Sequence, residues 1–277
     1  MNIPEDNTAR RSGGRAQRHV KRAAKPVFDP CPPGQIGGAY KPLSDSDLES
    51  IFDTALKLLS DLGMGEVPAR LHRDLLKAGA TANENGRILF PRDLVEGAIA
   101  KAAKTFILHG RDEARSIEVG GNKVYFGTGG AAVQTLDLDK GLYRPSTLAD
   151  LHDFTRLQDT LANVSWYTRC CVATDVPDNF DLDVNTVYAL LRNTTKPTAT
   201  SFTLAEHIEP IVRMLDIAAG GEGEFSKRPF MKAHISPVIS PMRFGEDAVD
   251  VVYGCIKHNI PMSCITAAQA GATAPAT

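Results

Sequence analysis

The chain has 277 residues, 43% of them hydrophobic, which is enough to bury the core of one large domain or of two small ones. Its formal net charge of -2 argues against nucleic acid as a general partner. No run of about 18 apolar residues indicates a membrane span, so no membrane partner is expected either.

Residues 1–43 are predicted to form a basic disordered arm followed by an extended lead-in. Seven arginines and lysines crowd the first 25 residues, which contain no apolar secretory core. We favour a solvated tail, and a transit peptide and an RNA-contacting arm are the alternatives. Five prolines and three glycines between residues 26 and 43 are typical of extended chain.

Residues 44–145 are predicted to form an α+β region. Ser44 and Asp47 make a capping pair at the start of the first helix, and Gly63 ends it. The other elements predicted here are helices at 68–77 and 91–103 and strands at 87–90, 106–109, 116–119, 123–126 and 133–139.

Residues 146–277 are predicted to repeat a strand and a helix. The strands begin at Val164, Pro197, Pro229 and Ile260, at steps of 33, 32 and 31 residues, and a helix pattern follows each of the first three. This spacing is typical of successive βαβ crossovers in a parallel sheet and predicts the α/β class. A (β/α)8 TIM barrel needs eight such units, so the roughly four units here predict the first half of an incomplete barrel.

The glycine-rich run at 127–132 formally matches the dinucleotide-binding pattern G-x-G-x-x-A. That fingerprint needs a helix N-terminus next, whereas the residues from Val133 onward are predicted to form a strand. A dinucleotide site is therefore disfavoured. The glycines are expected to allow the close approach of a ligand or of a neighbouring strand.

The cysteines, histidines and clustered aspartates predict no metal site. The five cysteines are irregularly spaced and lack a C-x-x-C pair, which indicates a reduced, cytoplasmic chain. Cys170 and Cys171 are expected to point to opposite faces of a strand. The seven histidines lack ligand spacing, and His207 and His258 are predicted to lie on the surface of helices. Asp183 belongs to a group of aspartates predicted to occupy a helix start.

In a barrel the carboxyl ends of the strands surround the active site. The predicted strand ends carry aromatic, hydroxyl and imidazole groups, and His234 closes the third strand. They carry no lysine or carboxylate, so Schiff-base chemistry and paired acid–base hydrolysis lack their groups. These ends suit holding a ligand rather than ionising one, and no catalytic residue is assigned.

Four runs of residues are specific in combination: FGTGGAA at 126–132, LDLDKG at 136–141, RPSTLADL at 144–151 and GATAPAT at 271–277. Together with GGR at 13–15 and YKPLSD at 40–45, they resemble the trimethylamine:corrinoid methyltransferase family over nearly the whole chain. The resemblance implies a (β/α)8 barrel whose mouth binds a methylated amine. It also implies transfer of one methyl group to the Co(I) centre of a separate corrinoid protein.

The resemblance carries further implications for substrate, cofactor and assembly. The substrate would be trimethylamine or a quaternary amine such as glycine betaine, in methylamine catabolism or methanogenesis, and the partner protein would carry the corrinoid (cobalamin) cofactor. Some members of the family contain pyrrolysine, at a position that the resemblance puts beyond Thr277. Because members are nearly twice as long, the chain is expected to be an N-terminal fragment, inactive alone. An open edge at strand 260–266 favours a homo-oligomer.

A methylammonium group is well held by aromatic faces, so the strand ends supply candidate substrate-binding residues. These candidates are Trp166, Tyr167, Phe202, His234 and Gln269. Strand alternation lets only one of Trp166 and Tyr167 face the barrel interior. Two other functions remain open: a ligand-binding barrel relative without methyl transfer, and a TIM-barrel enzyme acting on a phosphorylated substrate.

Overall fold

The computed structural model describes residues 29–266 and residue 271. The chain divides into two units, residues 1–32 and 33–277, and every element named below lies in the second. Gln269 and nearly all of the predicted basic arm lie outside the described residues. Within the described ranges, no helix has both the length and the apolar character needed to cross a membrane.

The helices predicted at 44–63, 68–77 and 91–103 are present, and their ends lie within a few residues of the predicted ones. The helices are α1 (Asp45–Lys57), α2 (Ala69–Lys77), α3 (Arg92–Lys101), α4 (Leu148–Thr160), α5 (Asn179–Asn193), α6 (Ile208–Ala219), α7 (Glu224–Lys227) and α8 (Glu246–Lys257). The predicted capping pair is confirmed: the Ser44 hydroxyl accepts from the Asp47 N–H at 3.2 Å, and the Asp47 carboxylate accepts from the Ser44 N–H at 3.0 Å. A π-helical turn, Leu58–Leu62, continues α1 to Gly63.

The strands are short. They are β1 (Gln35–Ile36), β2 (Thr81–Ala82), β3 (Ile88–Leu89), β4 (Thr105–Leu108), β5 (Ile117–Gly120), β6 (Lys123–Val124), β7 (Phe126–Gly127), β8 (Gln134–Asp137), β9 (Leu142–Pro145), β10 (Val164–Thr168), β11 (Thr198–Thr200), β12 (Met231–Ile235), β13 (Val238–Ile239), β14 (Arg243–Phe244) and β15 (Met262–Cys264). Two-stranded antiparallel pairs account for β1 with β6, β2 with β3, β4 with β5, β8 with β9 and β13 with β14.

The central sheet has five parallel strands in the order β15-β12-β11-β10-β7. The four predicted repeat strands are confirmed, but the predicted count is one short because β7 also belongs to this sheet. The predicted strand 123–126 reaches β7 at Phe126, but the pairing of β7 with β10 was not predicted, because β7 has only two residues and one of them is glycine. The curled five-stranded sheet with its helices makes a mixed α/β structure like part of a TIM barrel.

The helices cover one face of the sheet. The main core joins alternate residues of the strands, such as Tyr167, Met231 and Ala233, to apolar residues of α5, α6 and α8. The residues between them in sequence, such as Trp166 and Lys232, lie on the opposite face, which we call the inner face. This alternation decides which strand residues can meet a ligand inside the barrel.

The α+β region is joined to the loop after β12 by main-chain hydrogen bonds. The N–H of Gly65 donates to the carbonyl of Met242 at 2.9 Å, and the N–H of Phe244 donates to the carbonyl of Gly65 at 3.1 Å. The Arg87 guanidinium donates to three carbonyls, those of Leu62, Gly63 and Met242. The loop after the third predicted strand is thereby held from outside the sheet.

Candidate functional site

Four polar residues on three strands share the inner face: Thr168 on β10, Lys232 and His234 on β12, and Ser263 on β15. The register pairs Thr168 with Ala199 and Ala199 with Lys232, and it pairs His234 with Ser263. Because Ala199 carries only a methyl group, the side chains on β10 and β12 can meet across β11. Thr168 Oγ1 and His234 Nε2 share a hydrogen bond of 3.2 Å there.

The glycine-rich run packs against β10. The Thr128 hydroxyl donates to the carbonyl of Thr168 at 2.6 Å and accepts from the N–H of Thr168 at 2.8 Å. A Cβ added at Gly127 would overlap the Trp166 ring, and one added at Gly130 would overlap the carbonyl oxygen of Arg169. Of the two expectations for this run, close approach to a neighbouring strand is the one that the structure shows.

Lys232 is a residue of the inner face that sequence reasoning missed. Its Nζ donates to Ser263 Oγ at 3.0 Å and lies 5.5 Å from the centroid of the Trp166 ring. Burial lowers the pKa of Lys232. Counting back two residues from His234 along the strand would have found it, because residues i and i+2 share a face.

The contact with Lys232 changes what Trp166 offers a substrate. The predicted role of Trp166 was to hold an ammonium group, and its ring already faces an ammonium group of the chain. Both residues line a mainly apolar cavity of about 400 Å³, together with Met262 and Phe106. Trp166 therefore lies on the inner face as alternation allows, but deeper than the strand ends.

His234 lies at the strand ends, where its surroundings disfavour the charged form. Its pKa is lowered first by burial and then by the positive charges of Lys232 and Arg169. It lines a cavity of about 320 Å³ with Ser201 and Phe202, which follow β11, and with Asp247 and Val251 of α8. A neutral imidazole beside a threonine hydroxyl can position a ligand by hydrogen bonding without adding charge.

The pKa of His234 predicts a pH dependence of stability. The unfolded histidine takes up a proton below its ordinary pKa of 6.5, while the folded one resists it, so folding loses stability as the pH falls. We expect the free energy of unfolding to fall more steeply between about pH 7 and pH 5 in the native chain than in His234→Gln. Urea denaturation at several pH values measures this difference, and parallel pH profiles would refute it.

Tyr167 and Phe202, two predicted substrate-binding residues, lie in the core on the helix side of the sheet. Tyr167 is fully buried, and its hydroxyl lies 3.1 Å from Cys170 Sγ. Phe202 is 6% exposed and contributes to the core as well as to the wall of the smaller cavity. Neither residue is assigned a role in binding the methylated amine.

The prediction that His207 lies at the surface is wrong. It is 5% exposed, and its Nδ1 lies 2.8 Å from Asp183 Oδ2. The Asp183 carboxylate also accepts from the N–H of Thr203 at 2.7 Å and from the Thr203 hydroxyl at 2.9 Å. The edge of the Phe180 ring packs against His207 at a centroid distance of 5.3 Å.

Asp183 is also placed differently from its prediction. Asp178 alone caps α5, accepting from the N–H of Asp181 at 2.9 Å, while Asp183 faces the sheet and is 1% exposed. The signal that could have found it is its spacing: Asp183, Val187 and Leu190 stand at positions i, i+4 and i+7 of one helix face. An aspartate on an apolar stripe indicates a buried polar network.

The prediction that Cys170 and Cys171 point to opposite faces is also wrong, because β10 ends at Thr168 and alternation stops there. The two thiols interact: a hydrogen bond with Cys171, opposed by burial and aided by the Tyr167 hydroxyl, lowers the pKa of Cys170 to about 7. All five cysteines are free. No group of three or more potential ligands in the described residues could hold a metal ion.

A family model described as trimethylamine methyltransferase matches residues 11–277 of the chain. The chain belongs to the trimethylamine methyltransferase family. It is 26% identical over 235 residues to trimethylamine methyltransferase MttB of Desulfitobacterium hafniense (strain DSM 10664 / DCB-2), covering 84% of this chain and 47% of the relative. It is 23% identical over 244 residues to glycine betaine methyltransferase of D. hafniense (strain Y51), covering 88% and 50%.

A third relative, trimethylamine methyltransferase MttB of Methanosarcina barkeri, is 24% identical over 234 residues, which are 83% of this chain and 47% of that protein. The chain thus spans about half the length of the curated relatives that it matches. The resemblance recognised in the four residue runs is confirmed at the level of the family. These relatives are named for two different substrates, trimethylamine and glycine betaine.

Proposed function

We propose that the protein moves a methyl group from a methylated amine to the Co(I) centre of a separate corrinoid protein. The observation that carries this proposal is the family match over residues 11–277, to which relatives named for trimethylamine and for glycine betaine add the substrate type. The corrinoid would supply the nucleophile for the methyl carbon, and the C–N bond would break so that the demethylated amine leaves with its electron pair. The chain itself then needs to supply no general base.

The residues at the strand ends are compatible with that division of labour. The surroundings of His234 lower its pKa, and the groups near it include the hydroxyls of Thr168 and Ser201. Such groups orient a ligand and exclude water without competing as nucleophiles. The chain would therefore contribute binding and alignment, and the free cysteines agree with a reducing, cytoplasmic setting in which a Co(I) centre survives.

We also propose that the five-stranded sheet is part of a complete (β/α)8 barrel. Strands β7 and β15 are the outer strands of the described sheet, and a barrel closes when further strands join both edges. In this arrangement the inner face becomes the barrel interior, and the strand ends become its mouth. An uncovered edge would otherwise promote self-association, which is why we expect a homo-oligomer of the isolated chain.

Methyl transfer is the test of this function. The protein is produced as its source encodes it, including any residues after Thr277, and is mixed with cob(I)alamin and one methylated amine at a time. We expect the Co(I) absorbance to disappear with at least one of trimethylamine, glycine betaine or choline. Absence of transfer with every amine, in protein that binds one of them by calorimetry, would favour a ligand-binding relative instead.

A further inference from the structure

Two cations act on His234: Lys232, on the inner face, and Arg169, which directly follows β10. Neither Arg169 nor Lys232 takes part in any ion pair among the described residues. Lys232 at least donates to Ser263 and faces Trp166, whereas the Arg169 side chain makes no hydrogen bond with any described residue. The Arg169 side chain therefore has fewer polar contacts with the described residues than the Lys232 side chain has.

Arg169 stands at the mouth of the proposed barrel. It directly follows β10, and its N–H donates to the carbonyl of Ala199 at 3.0 Å, so its main chain is fixed against β11. Its neighbour Thr168 is the residue that contacts His234. The positive charge of Arg169 lowers the pKa of His234. The negative charge of Asp183, in turn, acts to raise the pKa of Arg169.

Asp183 does not neutralise this arginine. One of its carboxylate oxygens accepts from the Thr203 hydroxyl, and the other accepts from the Thr203 N–H and contacts His207. The Asp183 carboxylate is thus held by other donors, and no ion pair joins it to Arg169. Arg169 is also partly buried, and burial lowers its pKa.

A partly buried guanidinium that has neither an ion-pair partner nor a hydrogen-bond acceptor among the described residues can receive an anion. Guanidinium groups match carboxylates geometrically, and a charged group that is removed from water without a partner is costly. A simple trimethylammonium ion would be repelled by Arg169 and Lys232, while a methylated amine that also carries a carboxylate would place its negative charge against them.

We propose that Arg169 binds the carboxylate of a zwitterionic methylated amine and so selects such amines over purely cationic ones. This specificity rests on the proposed function, because the amine is the methyl donor there. Glycine betaine and choline are the matched probes: they share the trimethylammonium group and differ in carrying a carboxylate or a hydroxyl.

The test compares these two probes in the native protein, in Arg169→Gln and in Arg169→Lys. We expect Arg169→Gln to weaken glycine betaine binding about 10- to 100-fold, as loss of a charge-assisted hydrogen bond does, while choline binding stays equal or improves. Arg169→Lys keeps the charge and should restore part of the affinity. Titration calorimetry reports binding whether or not methyl transfer occurs, so a failure of transfer alone counts against the function and not against this site.

Arg111 provides a matched control. It is also partly buried and has no carboxylate partner among the described residues, but it donates to the carbonyls of Leu191 at 2.5 Å and Thr194 at 3.0 Å, at the C-terminal end of α5. Arg111→Gln should leave the ratio of the two affinities unchanged. The proposal is overturned if the native protein prefers choline, if it binds neither probe, or if Arg169→Gln and Arg111→Gln give the same ratio.

Discussion

Replacing Asp183 by alanine is expected to lower the free energy of unfolding by about 1–3 kcal/mol, the usual cost of leaving a buried hydrogen-bonding group without its partner. The Asp183 side chain is 1% exposed and receives hydrogen bonds from Thr203 twice, while His207 Nδ1 lies 2.8 Å away. Alanine would leave the buried His207 imidazole without this partner and would remove the acceptor of the Thr203 N–H and hydroxyl. Urea denaturation measures the loss.

The control for this variant lies in the same helix. Asp181 is exposed and belongs to the first turn of α5, so Asp181→Ala should change the free energy of unfolding by no more than about 1 kcal/mol, the usual size of a helix-dipole effect. Equal urea midpoints for the two variants would show that the network around Asp183 adds nothing to stability.

Replacing Gly130 by alanine is expected to lower the free energy of unfolding by about 1–3 kcal/mol, the usual range for an overpacked site. The added methyl group would overlap the carbonyl oxygen of Arg169, and a main-chain atom in a sheet cannot move aside as a flexible side chain can. The mouth should be disturbed as well, since Arg169 and Thr168 would have to shift with the strand.

Gly129 is the matched control within the same run. A Cβ added there meets nothing within 4 Å, so Gly129→Ala should stay within about 0.5 kcal/mol of the native chain. A glycine run that served mainly to admit a ligand would show another pattern, in which both variants keep their stability and lose binding. Thermal unfolding and calorimetry on both variants separate the two roles.

The structural elements that can be predicted from the sequence are those determined by residues close together along the chain. The helix that Ser44 caps and the four repeat strands follow from caps and periodicity, which act over a few positions. The buried contact of Asp183 with His207 joins residues 24 apart, and its burial depends on how two helices pack on one sheet. No local pattern reports that packing, and His207 by itself reads as an ordinary helical histidine.

The candidate site was predictable in part for the same reason. Alternation along a strand is local, so it correctly limits Trp166 and Tyr167 to opposite faces, although it does not tell which face is inner. That choice is made by the core that Tyr167 enters with α5 and α6. Lys232 was not predicted because it lies within β12 and not at its end. Whether Arg169 has an ion-pair partner depends on residues distant in sequence.

The pairing of Gly65 with Met242 and Phe244 has a consequence for synthesis of the chain. The ion pair beside it, Glu66 with Arg243, joins residues 177 apart. At the usual 5–20 residues per second, a ribosome needs about 10–35 s to make that intervening length. During that interval the segment around Gly65 has only local contacts, such as the bridge between Met64 and Ile88 and the bonds from Arg87 to Leu62 and Gly63. Its contacts with the loop around Met242 form only after that loop has been synthesised.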